Sequence, residues 1–253
     1  MKNKLQSILG HVRRADNDFN LIQNGDRIVV GVSGGKDSLL LLQALSSYKK
    51  FGTKKSTENT VTQQTSTVLK TFDIIAVTID CSGGKIDYGP IKAFCEGLEI
   101  KYIVEPSNIF EIIFDIRKEK NPCSLCSKLR RGMLNSVANR ENCNKVALGH
   151  HSDDLIETFF LSLLYEGRVS TFQPISYLDR TDITVIRPLI YVSEKEVNAF
   201  AKTLPVLHNP CPANHHTQRE YMKNLIKKIS TDIPIAHDRM TTAITTWLSE
   251  KPR

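Results

Sequence analysis

Apolar residues recur at helical spacing at Leu5, Ile8, Leu9, Val12 and Phe19, which predicts an amphipathic N-terminal helix within residues 1–25. A turn at Asn24-Gly25 leads into Arg27-Ile28-Val29-Val30-Gly31-Val32, a β-branched run that predicts a short strand. Residues 39–45 are largely apolar and predict a buried helix. The pattern then breaks across residues 51–67. Eight of the fifteen residues from 53 to 67 are Ser or Thr, which predicts a solvated polar insertion with no chemistry of its own. Further strands are predicted at 73–79, 101–104, 145–148 and about 184–186, with helical patterns between them at 88–97, 109–116, 124–139 and 154–165. Ser193 with Glu196 forms a capping box that opens a helix running to about residue 204. Two more helices, about 215–229 and 237–249, close the chain. Strand–helix alternation of this kind predicts an α/β fold. A doubly wound parallel sheet occupies 26–208, and a helical C-terminal extension occupies 209–253.

Composition narrows the class without naming a function. The 253 residues include 34 Lys or Arg and 27 Asp or Glu, for a net charge of +7. With 40% hydrophobic and 24% charged residues, the chain is globular rather than disordered. No apolar run reaches the roughly 18 residues of a membrane-spanning helix. The first twenty residues lack the apolar core and cleavage site of a secretory signal. A cytoplasmic location is therefore expected, where six cysteines point to metal binding or catalysis rather than disulfides. The basic excess permits nucleic-acid binding without requiring it.

The sharpest motif is Ser33-Gly34-Gly35-Lys36-Asp37-Ser38, placed between the first strand and the next helix. Glycines let the backbone turn sharply and approach a ligand, and the N–H groups at a helix start face an anion. Ser33 and Ser38 add hydroxyls, Lys36 adds a positive charge, and Asp37 suits a magnesium ion on the phosphates or a contact to substrate. The string is neither a Walker loop nor a dinucleotide fingerprint. An N-capped tight turn is the plainer alternative. A second loop, Gly149-His150-His151-Ser152-Asp153-Asp154, lies at a strand end that should face the first, which makes Gly149 and His150 candidate ATP contacts. Asp153 and Asp154 offer hard oxygen ligands for magnesium, and Asp153 could also steer a reacting base; helix capping is the alternative for both.

Cys123 and Cys126 are spaced to converge on one metal or cluster at a helix start, where thiolates are favoured. Cys211, between Pro210 and Pro212, is a plausible third ligand. A redox pair is one alternative, and a zinc site completed by His215 or His216 is another. Cys81, Cys95 and Cys143 lack partners at ligand spacing and read as packing residues. Arg219, Lys223 and Lys227 recur every four residues on one helix as a basic stripe suited to phosphates, or else as a solvated face. The paired lysines around residues 49–55 read as solvation.

The first of these loops resembles the PP-loop of the ATP pyrophosphatase superfamily. With Pro122-Cys123-Ser124-Leu125-Cys126, Arg130-Arg131-Gly132, Gly149 to Asp154, Leu163 to Gly167, Ile186-Arg187-Pro188-Leu189 and Pro210-Cys211, the chain resembles the tRNA 2-thiocytidine synthetase family. The resemblance runs from about residue 5 to 227. It implies cleavage of ATP to AMP and pyrophosphate, a tRNA substrate, and a [4Fe-4S] cluster on Cys123, Cys126 and Cys211 with one iron free of protein ligand. It implies that this iron carries the sulfur delivered to an anticodon-loop cytidine. It also implies a homodimer, a sulfur donor such as a cysteine desulfurase, and a place for tRNA near Lys128, Arg130 and Arg131. One departure stands out: the family commonly has a second Cys-x-x-Cys at the third-ligand site, where this chain has Cys211-Pro212-Ala213-Asn214. A uridine thiolase would share both sites, lysidine synthetase only the loop, and a zinc-stabilised nucleotide-binding module would make no pyrophosphate.

Overall fold

Strand β1 (Asp26–Gly31) sits at the centre of a six-stranded sheet, and its alternating side chains feed two separate cores. Ile28 and Val30 face one side and Val29 the other. The computed structural model describes residues 2–55, 70–119, 122–208 and 218–250. Strands β2 (Phe72–Asp80) and β3 (Lys101–Pro106) extend the sheet on one side of β1. On the other side lie β4 (Lys145–Ala147), β6 (Ile183–Ile186) and β5 (Ile175–Leu178). The order is β3-β2-β1-β4-β6-β5, and every neighbouring pair is parallel except β5 with β6. The strand order reverses between β1 and β4, which opens a crevice beyond their carboxyl ends.

The first core holds α1 (Lys2–Phe19), α2 (Lys36–Lys55), α5 (Ser152–Tyr165) and α6 (Glu194–Ala201) against the sheet through Val12, Leu41, Ile156 and Val197. The C-terminal helices α7 (Gln218–Asp232) and α8 (Ala236–Glu250) join the same core through Met222, Ile226, Ile244 and Leu248. The opposite core holds a π-helical segment, Glu111–Ile116, and α4 (Pro122–Arg140). Helix α3 (Gly89–Gly97) crosses between β2 and β3. The buried Lys145 is paired: it lies 2.7 Å from Asp26 and donates to the Leu21 carbonyl at 2.8 Å.

The doubly wound sheet agrees with the expectation, with three differences. Strand β5 was not foreseen, because four half-exposed residues joined to β6 by a short turn leave little periodicity. The helix expected at 39–45 runs from Lys36 to Lys55, because Ser46, Ser47 and Tyr48 continue its packed face. The segment 109–116 adopts π-helical bonding over most of its length. Most of the polar insertion and Cys211, His215 and His216 lie outside the described residues. Among the described residues, no helix is long and apolar enough to cross a membrane.

Candidate active site

The loop after β1 folds back on itself before it meets any ligand. The Ser38 hydroxyl donates to the Gly35 carbonyl at 2.9 Å and accepts from the Ser33 N–H at 3.1 Å, while the Gly35 N–H donates to Ser33 Oγ at 3.3 Å. Gly34 adopts φ +81°, a left-handed conformation that favours glycine. Its carbonyl accepts from the Leu207 N–H at 3.0 Å, which ties the loop to the segment after α6. Both serine hydroxyls are thus occupied in shaping the loop. The backbone N–H groups at the start of α2, together with Lys36, are left as the anion-facing groups. Lys36 reaches Asp37 at 3.2 Å and Glu194 at 3.5 Å.

Gly149 brings the end of β4 onto this loop. A β-carbon there would stand 3.0 Å from the Asp37 carbonyl carbon and oxygen and 3.1 Å from the Ser38 nitrogen, so any larger residue would push this backbone back by a few tenths of an ångström. A cavity of about 270 Å³ opens between the two loops, lined by Ser33, Asp37, Arg130, Arg131, Gly149 and His150 among others. Arg130 and Arg131, expected near tRNA, thus also line the cavity between the two loops. Lys128, one turn away on α4, is exposed. Burial, with Arg187 nearby, pushes the His150 imidazole down to about 4, so it is neutral at physiological pH.

The acidic pair is engaged by the protein itself. Asp154 accepts from the His151 N–H at 3.1 Å, as a helix cap does, and lies 3.2 Å from Arg219. Asp153 accepts from the Glu194 N–H at 2.6 Å, and its other oxygen stands 3.2 Å from His237 Nε2. Burial would raise the Asp153 carboxyl, but His237 and the Glu194 N–H hold it down at about 2. His151, buried, links this pair to the PP-loop: its ring nitrogens lie 3.5–3.7 Å from Asp37, Asp153 and Asp154. Among the described residues, no group of three or more His, Cys, Asp or Glu converges as a metal site. Asp153 and Asp154 are thus held by protein partners, and Asp37 is the carboxylate that lines the cavity.

The contact between Asp153 and His237 makes a testable latch between α5 and α8. Its geometry does not meet that of a neutral hydrogen bond at His237 Nε2, so it acts as an ion pair when the imidazole is charged. The depressed Asp153 contributes above its ordinary 3.8 and is lost as pH falls toward about 2. The Asp153 carboxylate beside it raises His237 above its ordinary 6.5, so its share is full below 6.5 and lost as pH rises through the folded value. Protection of the α8 amides, corrected for intrinsic exchange, should therefore fall as pH rises above 6.5, and His237→Gln should remove that fall. The same pH profile in the variant would place the effect elsewhere.

Arg219 donates to Glu157 at 2.8 Å and Lys223 to Glu194 at 2.6 Å, and both stay exposed beside Lys227 on the same helix. Arg219 and Lys223 thus fasten α7 to α5 and α6 while keeping an outward basic face. Burial raises the Glu157 carboxyl, and Arg219 offsets it.

At the start of α4, Cys123 is exposed and Cys126 half-buried. Cys81 and Arg130 beside it bring Cys126 down to about 6, which favours thiolate. The neighbouring Cys126 and burial push Cys81 up, and the Cys81 thiol donates to the Ile79 carbonyl at 3.7 Å. Cys81, expected only to pack, therefore supports a candidate ligand. Its place just beyond β2, at the carboxyl end of the sheet, is the signal that could have revealed it.

A mostly parallel sheet with this loop at its switch point defines a PP-loop ATP-utilising protein, and residues 3–232 match the PP-loop domain family. A tRNA-cytidine(32) 2-sulfurtransferase of Geobacter metallireducens is 36% identical over 91% of this chain and 86% of its own length. The protein of that name from Teredinibacter turnerae is 34% identical over 92% and 73%. The chain belongs to the tRNA-cytidine(32) 2-sulfurtransferase family, the 2-thiocytidine synthetases. The U34-tRNA thiolase NcsA of Methanococcus maripaludis, solved with its [4Fe-4S] cluster, shares the fold at TM-score 0.72 and 23% identity, over 98% of this chain and 80% of that one.

Proposed function

We propose that this protein uses ATP to replace the 2-carbonyl oxygen of cytidine 32 in tRNA with sulfur. One observation carries the reading: α4 presents Cys126 one helical turn from Arg130, which lines the PP-loop cleft. The thiol site and the nucleotide site thus share one helix. ATP lies with its phosphates on the N–H groups of residues 33–38 and on Lys36, and Arg130 offsets its charge. The cytidine O2 attacks the α-phosphorus. An O–P bond forms, the α–β anhydride breaks, and pyrophosphate leaves. Sulfide then adds at C2, and AMP departs with the former carbonyl oxygen.

Cys123, Cys126 and Cys211 would hold the cluster. Soft thiolates suit iron–sulfur ligation, and the lowered Cys126 thiol supplies one near neutral pH. When bound, the cluster offers an iron without a protein ligand, where sulfide can be carried. Asp37 faces the cleft as the acid nearest the reacting phosphates, and Asp153 braces His151 behind it. Lys128 and Lys227 are exposed cations for the tRNA backbone. A sulfur donor such as a cysteine desulfurase, homodimeric assembly and a cytoplasmic setting complete the reading.

Anaerobic purification with visible and EPR spectra, iron and zinc analysis, and nucleoside analysis of reacted tRNA tests it. Iron–sulfur signals and ATP-dependent 2-thiocytidine are expected. Zinc without iron overturns the cluster, and 2-thiouridine alone overturns the cytidine substrate.

A further inference from the structure

The cleft has a side chamber built around a buried positive charge that no function described so far uses. Arg187, at the end of β6, is 7% exposed. One of its terminal nitrogens donates to the Gln173 carbonyl, and its guanidinium lies over the Phe172 ring at 5.0 Å from the centroid. Its Nε is buried without a hydrogen-bond partner. Arg131 reaches the same place from α4, and the two line a cavity of about 150 Å³ between that helix and the sheet. Arg131, Leu134 and Leu148 border both this chamber and the larger PP-loop cleft, so the two spaces adjoin. Among the described residues, neither arginine makes an ion pair with a carboxylate; Arg131 donates from Nε to the Ser127 carbonyl at 3.2 Å.

Two guanidinium groups facing one cavity without a counter-charge are unfavourable, and burial makes the cost larger. Burial and the nearby Arg131 push the Arg187 guanidinium down to about 10, in line with that repulsion. A second orphan lies in the adjoining cleft. His150 stacks beside Phe172 at 5.0 Å between ring centroids, and its buried Nδ1 has no partner. An oxyanion between the arginines would supply the missing acceptor for Arg187 Nε and screen the pair. Arginine's forked donors match a tetrahedral phosphate, a group that both ATP and RNA present.

We propose that Arg187 and Arg131 form an oxyanion subsite beside the PP-loop that takes one phosphate group of a bound substrate. The subsite deepens the thiolation reading and rests on it for the choice of substrates. The chemistry is shared by two sources, a nucleotide phosphate and an RNA phosphodiester, which binding measurements separate. Inorganic phosphate, a non-hydrolysable ATP analogue and a tRNA transcript would each be titrated into the full chain, Arg187→Gln and Arg131→Gln. Loss of a charge-assisted hydrogen bond should weaken inorganic phosphate roughly tenfold or more in both variants. A matching loss for tRNA with ATP analogue unchanged assigns the RNA phosphodiester; the reverse assigns the nucleotide. Phosphate affinity within twofold of wild type overturns the subsite. Arg131→Gln, at an exposed helix position, carries the prediction alone should the buried variant not fold. A protein that makes no 2-thiocytidine yet keeps the phosphate difference would sink the thiolation reading and leave the subsite standing.

Discussion

Gly149→Ala is expected to lower ATP affinity about tenfold, with the fold intact. The added β-carbon would sit 3.0–3.1 Å from three backbone atoms of Asp37 and Ser38, which cannot swing aside as a side chain can. Overpacking of this kind costs roughly 1–3 kcal/mol. The strain falls on the N–H groups that open α2, the groups assigned to the phosphates, so it should appear in nucleotide binding more than in melting temperature. Gly10→Ala is the control, because nothing lies within 4 Å of a β-carbon there. Calorimetric titration with ATP compares the two. Wild-type affinity in Gly149→Ala would mean that the close approach of β4 does not shape the nucleotide site.

Cys126→Ala should reduce thiolation at least about a hundredfold while leaving ATP affinity within about twofold of wild type. The thiol is held near 6 by Cys81 and Arg130, so its loss removes the one described candidate ligand already poised as thiolate. Its position a turn away from the cleft-lining Arg130 keeps it out of the phosphate contacts. Iron content and the visible spectrum should fall together with 2-thiocytidine yield. Normal thiolation by this variant would remove the cluster from the mechanism, whereas lost ATP binding would show that α4 itself had shifted.

These sites were legible in the sequence to differing depths, for physical reasons. Local motifs were plain: the string from Ser33 to Ser38 falls at a strand-to-helix junction, and Ser193 does cap α6 with Glu196. Contacts between distant segments were not. Arg219 and Lys223 show the same spacing whether they face water or carboxylates, and their partners Glu157 and Glu194 lie on α5 and α6. The link from Cys81 to Cys126 joins a strand end to a helix start, which no periodicity can report. Asp154 capping α5 at the His151 N–H is local and was open to a sequence reading, but the bond that Asp153 accepts from the Glu194 N–H depends on how α5 and α6 meet.

The fastening of α7 and α8 has an architectural consequence. Both helices grip the first turns of α5, through Arg219 to Asp154 and Glu157 and through His237 to Asp153, the stretch that also carries the loop facing the nucleotide cleft. A chain cut after residue 208 would leave Glu157 and Asp153 stripped of these cations and the apolar bed of Met222 and Ile244 open to water. The C-terminal pair is therefore not an interchangeable cassette. A chimera that borrows it from a relative would have to borrow α5 as well, and with it the Gly149-His150 loop that leads into α5 from the cleft.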